Sequence, residues 1–247
     1  MTGEPGGMPL VLMYHSVQAY DADPSRVTVD PRRFDRQLRW LRRRGLRGVG
    51  VAELLHAHRA GRGAGLVGLT FDDGYRDFVT EVVPALHRYR FTASVFLVAG
   101  ELGGHNTWDE PGPRKPLMSE ADVHRVVEAG MEVGSHGLSH VRLPQLSADE
   151  LATQVRRSRL RLADLTGDEV NGFCYPYGAL GTREITAVRA AGYAYACAVQ
   201  PSPLAGRYAI PRTFVGDRDG PARLYAKLAR HRLTTGRTSR PASRAAI

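Results

Sequence analysis

Gly68-Leu69-Thr70-Phe71-Asp72-Asp73-Gly74-Tyr75 is an apolar run that stops at two adjacent carboxylates and a glycine. A short run without polar alternation reads as a β-strand buried on both faces. Asp72 and Asp73 then sit at its C-terminal end, where neighbouring side chains point in different directions. One of them can bind a metal while the other stays free as a base. Gly74 permits the sharp turn that follows. Asp-Asp-Gly is also a common turn, so by itself the stretch fixes a strand end and leaves the function open.

The pattern repeats outward from this stretch. Leu10–Tyr14, Ala93–Val98, Met131–Val133, Gly172–Tyr175, Tyr193–Val199 and Tyr208–Ile210 read as further strands, each short and apolar, β-branched or aromatic. Helical patterns lie between them. Asp30 caps a helix with Pro31 in its first position, and Phe34, Leu38 and Leu41 line one face before Gly45 ends it. Further helices are expected at Val51–Ala60, Phe78–Tyr89, Glu120–Ala129, Ala148–Leu165, Thr182–Ala191 and Ala222–Arg230, with Ser147 and Glu150 forming a capping box before Ala148. Regular strand–helix alternation predicts an α/β fold on a mostly parallel sheet of about seven strands, closed or nearly closed. Such folds place their chemistry in the loops after strand C-termini.

A second cluster follows another strand: Gly134-Ser135-His136-Gly137-Leu138-Ser139-His140. Two histidines four residues apart converge on one metal if the segment coils into a single turn, although such pairs also arise by chance. Together the two clusters say more than either alone. Asp73, His136 and His140 offer one oxygen and two nitrogen ligands, a set that suits zinc, or a similar divalent ion such as cobalt or nickel, with a position left for water. Asp72 supplies the base that such a water needs.

Thr70-Phe71-Asp72-Asp73-Gly74 and His136-Gly137-Leu138-Ser139-His140, in this order and about sixty residues apart, resemble the two leading motifs of the polysaccharide deacetylases, the family-4 carbohydrate esterases with a NodB-type domain. Phe173-Cys174-Tyr175-Pro176-Tyr177-Gly178 resembles the third motif, and Met13-Tyr14-His15-Ser16-Val17 resembles the start of one branch of the family. The resemblance spans roughly residues 8–215. It implies a distorted (β/α) barrel and hydrolysis of an N-acetyl group on a hexosamine. It further implies metal ligation by Asp73, His136 and His140, a general-base role for Asp72, and support of the tetrahedral oxyanion by the Tyr177 backbone N–H. A hydrolase of a non-sugar amide or an O-acetyl ester, or a sugar-binding protein without activity, is the alternative, because the motifs specify the reaction centre and not the pocket.

Three departures from the family pattern matter. Many members carry Arg where this chain has Cys174; Arg212, after the strand-like Tyr208–Ile210, is expected to reach the same carboxylate. The C-terminal Leu-x-Leu-His motif that usually supplies the acid is absent, and His231 in an Arg-rich helix is a weak substitute. His15, at the end of the first strand, is the expected acid, as in the branch that opens with Met-Tyr-His. Gly137 replaces the common Ser or Thr and removes a bracing hydroxyl. Trp108 and Asp109 lie in the long loop Gly103–Pro116, where Trp108 is placed to stack on a sugar ring. Tyr75 and Pro176, inside the quoted motifs, join them as candidate substrate contacts.

At 247 residues the chain fits one such domain, which runs to about 200–250 residues. The formal charge of +9 invites a nucleic-acid reading, but five of the positive charges, Arg230, Arg232, Arg237, Arg240 and Arg244, fall in an acid-free stretch at 229–247. Residues 1–228 therefore read as the catalytic domain and 229–247 as a basic, disordered tail, with no nucleic-acid partner expected. Weak contact of that tail with an anionic surface is the alternative. Two cysteines make no disulfide framework. Met1–Met8 has no basic region or apolar run, and no stretch of about 18 apolar residues exists, so the expected compartment is the cytoplasm.

Overall fold

The computed structural model describes residues 7–110 and 112–236. Chain order is β1 (Val11–Tyr14), β2 (Ser16–Val17), β3 (Thr28–Val29), α1 (Pro31–Arg43), β4 (Arg47–Val49), α2 (Val51–Arg59), β5 (Leu66–Phe71), α3 (Val83–Tyr89), β6 (Ser94–Leu97), α4 (Glu120–Glu128), β7 (Glu132–Ser135), α5 (Ala148–Thr166), β8 (Gly172–Cys174), α6 (Thr182–Ala190), β9 (Tyr195–Cys197), β10 (Thr213–Phe214) and α7 (Pro221–Gly236).

The main sheet runs β10-β1-β5-β6-β7-β8-β9, with β4 added beside β5, and its strands pair in parallel. Seven strands thus form the curled path of a distorted (β/α) barrel. Ile210 bridges to Cys197 in β9, and Thr213–Phe214 pairs with β1, so one segment touches both ends of the path. Alternation along the strands sorts two cores. Leu12, Tyr14, Val67, Leu69, Phe71, Val95, Leu97, Phe173 and Ala196 point outward beneath the helices. Val11, Phe96, Cys174, Tyr195, Cys197 and Ile210 fill the inside. Tyr14, Phe34, Phe71 and Phe78 form an aromatic cluster with ring centroids 5.1–5.8 Å apart, which fastens α1 to the strand that ends in Asp72. Asp30 and Ser147 cap α1 and α5 as expected from their side chains.

Four differences from the sequence reading have physical reasons. The strand expected at Tyr208–Ile210 pairs instead at Thr213–Phe214, because Pro211 has no N–H to continue a ladder through Ile210. The helix expected from Phe78 begins as a π turn over Phe78–Val82 and becomes α-helical only at Val83. Pro84 cannot donate to residue 80, and the wider turn accommodates it. The strands β2, β3 and β4 are two or three residues long, too short to show a period. The last helix runs on to Gly236, so the tail boundary expected at 229 falls inside α7; residues 237–247 lie outside the described residues. No helix among the described residues is long and apolar enough to cross a membrane.

Candidate metal centre and active site

Asp72 leaves the end of β5 into the mouth of the barrel and is 2% exposed. Arg212 meets it with two parallel bonds, Nη1 to Oδ1 at 2.6 Å and Nη2 to Oδ2 at 2.7 Å. The guanidinium also donates to the Ala198 carbonyl, the Thr70 hydroxyl and the Cys174 sulfur, so its fork is held on every side. Burial alone would raise the Asp72 carboxyl, but the Arg212 charge outweighs it and holds the group below the ordinary carboxylate range. The Cys174 thiol lies 3.5 Å from Asp72 Oδ2, and Arg212 supplies the charged fork that a cysteine lacks. His15, just past β1, brings Nε2 to 3.9 Å from Asp72 Oδ2, and its ring stands 6.3 Å from Phe214.

The next residue turns away. Asp73 has φ of 73°, a left-handed conformation that costs a non-glycine residue about 1–3 kcal/mol. The strain sends its carboxylate to the far side of the strand end, where Oδ1 lies 3.4 Å from Nε2 of both His136 and His140. These separations are long for hydrogen bonds. They match the edge of a tetrahedron whose ligands stand about 2.0–2.2 Å from a central ion, which is about 3.3–3.6 Å. His136 Nδ1 lies 2.8 Å from the Cys174 carbonyl. A carbonyl only accepts, so Nδ1 carries a proton, and Nε2 is the nitrogen turned toward Asp73. Burial lowers His140 to about 3, so that ring is neutral, the form that ligates. The donor set therefore fits a divalent ion. Asp72, His136 and Cys174 form a second close trio. It is the poorer site, because Arg212 occupies both Asp72 oxygens and burial pushes the Cys174 thiol well up.

The histidine turn is braced from three sides. Gly137 takes φ of 88°, a conformation open to glycine, and its N–H donates to the Ser135 hydroxyl. Gln154 on α5 accepts from the N–H groups of Leu138 and Ser139. The Ala99 and Gly100 N–H groups donate to the carbonyls of Gly137 and Leu138. A Cβ on Gly100 would lie 2.3 Å from the Leu138 carbonyl oxygen, a backbone atom. Gly100→Ala is therefore expected to displace the turn that carries His140. It should weaken metal binding at least tenfold and lower the melting temperature, as read by metal titration and calorimetry; unchanged metal affinity would refute this account of the turn.

The remaining candidates surround this centre. Trp108 stacks on His140 at 4.5 Å between ring centroids, so one face of the indole already packs on a candidate ligand. Tyr177, with φ of 59° and 44% exposed, covers His140 from the other side at 4.4 Å. Tyr75 and Pro176, expected to touch substrate, are buried. The Tyr75 hydroxyl donates to Asp109 Oδ2, which also accepts from Asn106. Tyr75 and Asp109 are thus tied to each other, and their visible part is to anchor the loop that carries Trp108. His231 lies far from this centre, with Nε2 at 3.0 Å from the Met8 carbonyl. Gln154, Asn106 and the buried Lys115 were not legible as site residues, since no motif or spacing marks them.

A sequence profile described as polysaccharide deacetylase matches residues 60–196, more than half the chain. The chain belongs to the polysaccharide deacetylase family. Poly-β-1,6-N-acetyl-D-glucosamine N-deacetylase from Staphylococcus aureus is 21% identical over 203 residues, 77% of this chain and 68% of that protein. The Escherichia coli protein of the same name is 35% identical over 86 residues, 34% of this chain and only 13% of its own length. Among solved structures, the Streptococcus pyogenes deacetylase PplD in complex with acetate superposes with a TM-score of 0.77 at 20% identity, covering 90% of this chain and 99% of that one, so the two share a fold.

Proposed function

We propose that this polysaccharide deacetylase family member is a metal-dependent hydrolase that removes the N-acetyl group from an N-acetylhexosamine unit of a glycan, sugar conjugate or lipid-linked sugar. The observation that carries the reading is the Asp73–His136–His140 set beside a carboxylate, Asp72, that takes no part in it. The name of the Staphylococcus aureus relative supports a sugar amide as the substrate class.

In this reading Asp73, His136 and His140 hold a divalent ion, zinc first, with cobalt or nickel as substitutes. Such an ion lowers the pKa of a coordinated water and polarises an amide carbonyl. Asp72, kept ionised by Arg212, takes the proton from the attacking water. The Tyr177 backbone N–H supports the oxygen of the tetrahedral centre. His15 gives the proton on Nε2 to the leaving nitrogen, because an amide anion is too poor a leaving group to depart alone. The free face of Trp108 packs on the sugar.

The test is acetate release from N-acetylglucosamine oligomers by metal-stripped protein refilled with zinc or cobalt. Metal-dependent release is expected; no release from any acetylated sugar despite stoichiometric metal binding would sink the reading. The acid role has its own check. His15→Ala should lower kcat on the amide about 10²–10⁴-fold while leaving hydrolysis of a nitrophenyl acetate, whose leaving group needs no proton, near wild type. Equal losses on both substrates would remove His15 from that role.

A further inference from the structure

A cleft of about 410 Å³ opens between the segment Tyr20–Thr28 and the segment from Phe214 to Lys227. Its volume lies in the range of small-molecule sites, about 300–1,000 Å³. Phe214, whose ring faces His15, forms the wall between this cleft and the catalytic centre. The cleft therefore adjoins the catalytic centre across a single ring.

The charges in the cleft are not matched to one another. Its acids are bonded to the chain but keep their charge, so three carboxylates stand against four cations, Arg26, Arg218, Arg223 and Lys227. Asp23 accepts from the N–H groups of Val27 and Thr28, Asp217 from the Asp30 N–H, and Asp219 from the Gly216 N–H and the Lys227 ammonium. Arg26, Arg218 and Arg223 line the same cleft, are exposed, and enter none of the ion pairs found among the described residues. Thr28 closes the inner wall, and behind it lies Lys115, 3% exposed, whose ammonium donates to the Thr28 hydroxyl. No carboxylate stands within 4.0 Å of that ammonium among the described residues; a tyrosine ring, Tyr75, lies 5.2 Å away. A buried cation of this kind is normally paired. The charges of Asp23, Asp77, Asp109 and Asp73 act on it from further off and offset it.

We infer that this cleft is a subsite for a phosphoryl group carried by the acetylated sugar, bound by Arg218 and Arg223 with Arg26 opposite. Guanidinium groups suit phosphate because their forked donors bind two oxygens at once. The inference rests on the deacetylase reading for the sugar, but the anion site stands on its own residues.

The experiment uses the full-length, metal-loaded protein and the double variant Arg218→Gln/Arg223→Gln, neither residue being part of the catalytic set. Inorganic phosphate is titrated by calorimetry into both proteins at low and at high salt. KM and kcat are then measured for N-acetylglucosamine 1-phosphate and for the neutral methyl glycoside of the same sugar. We expect saturable phosphate binding that weakens with salt and is lost in the variant. We also expect a KM for the phosphorylated sugar at least tenfold below that of the neutral one, with the difference abolished in the variant and kinetics on the neutral sugar unchanged. Absence of phosphate binding by the wild type, or a variant that still favours the phosphorylated sugar, overturns the subsite. Phosphate binding without any preference between the sugars makes the anion a free effector and overturns its place in the substrate. If neither sugar releases acetate, the deacetylase reading fails, and the phosphate titration alone decides whether the cation cluster binds anions.

Discussion

Asp72→Asn lowers kcat for acetate release by about 10²–10⁴-fold, the usual contribution of a positioned proton acceptor. The substitution keeps the size and plane of the side chain and removes only its charge and basicity. Asp73, His136 and His140 are untouched, so metal content stays at the wild-type level, measured by elemental analysis on the same samples. A fall in activity with full metal occupancy separates loss of the base from loss of the ion. A second effect accompanies the first. Arg212 has no exposed side-chain surface and would face a neutral amide, leaving a buried positive charge without its counter-charge. Removing one partner of such a pair costs about 3–5 kcal/mol. Assays therefore belong well below the melting temperature of the variant. Retention of more than a tenth of the wild-type kcat at full metal occupancy would exclude Asp72 as the base.

How much of this was legible in the sequence depends on whether the signal was local. The strand ending in Asp72 is apolar without alternation, and such a run is buried whatever its neighbours, so β5 and its polar end were readable. The two histidines four residues apart were readable for the same reason. Arg212 was reachable only through the resemblance, by noticing that Cys174 stands where many members carry Arg; the pairing joins residues 140 positions apart. The left-handed Asp73 could not be read, since nothing in Asp-Asp-Gly says which residue adopts the strained angle. Lys115 and Gln154 were invisible because their roles come from burial and from bonds to backbone on other elements. Trp108 was expected to stack on a sugar, and its contact with His140 was not legible, because stacking on a neutral imidazole and stacking on a pyranose ask the same thing of a sequence.

Arg212→Met separates the two consequences of the buried pair by pH. Methionine fills much of the same volume and donates nothing, so Asp72 is left in the barrel mouth without its main counter-charge. In the wild type the carboxyl titrates below its unfolded value, and the stability it contributes is complete above the unfolded value and lost only as pH falls through the lower, folded one. In the variant burial dominates and the folded value rises above the unfolded one. The carboxyl then carries a penalty at neutral pH, which protonation relieves as pH falls. The variant should therefore be about 3–5 kcal/mol less stable at pH 7, with the deficit shrinking toward pH 5, as measured by denaturant unfolding across that range. Activity moves the opposite way. Because the base must be ionised, the acid limb of kcat/KM shifts to higher pH in the variant, and the loss of rate is largest on the acid side. Arg212→Lys restores one charge but not the fork, so it should recover part of the stability and bring the limb part-way back. A stability deficit that stays constant with pH, together with an unmoved acid limb, would show that Arg212 holds the barrel together without tuning Asp72.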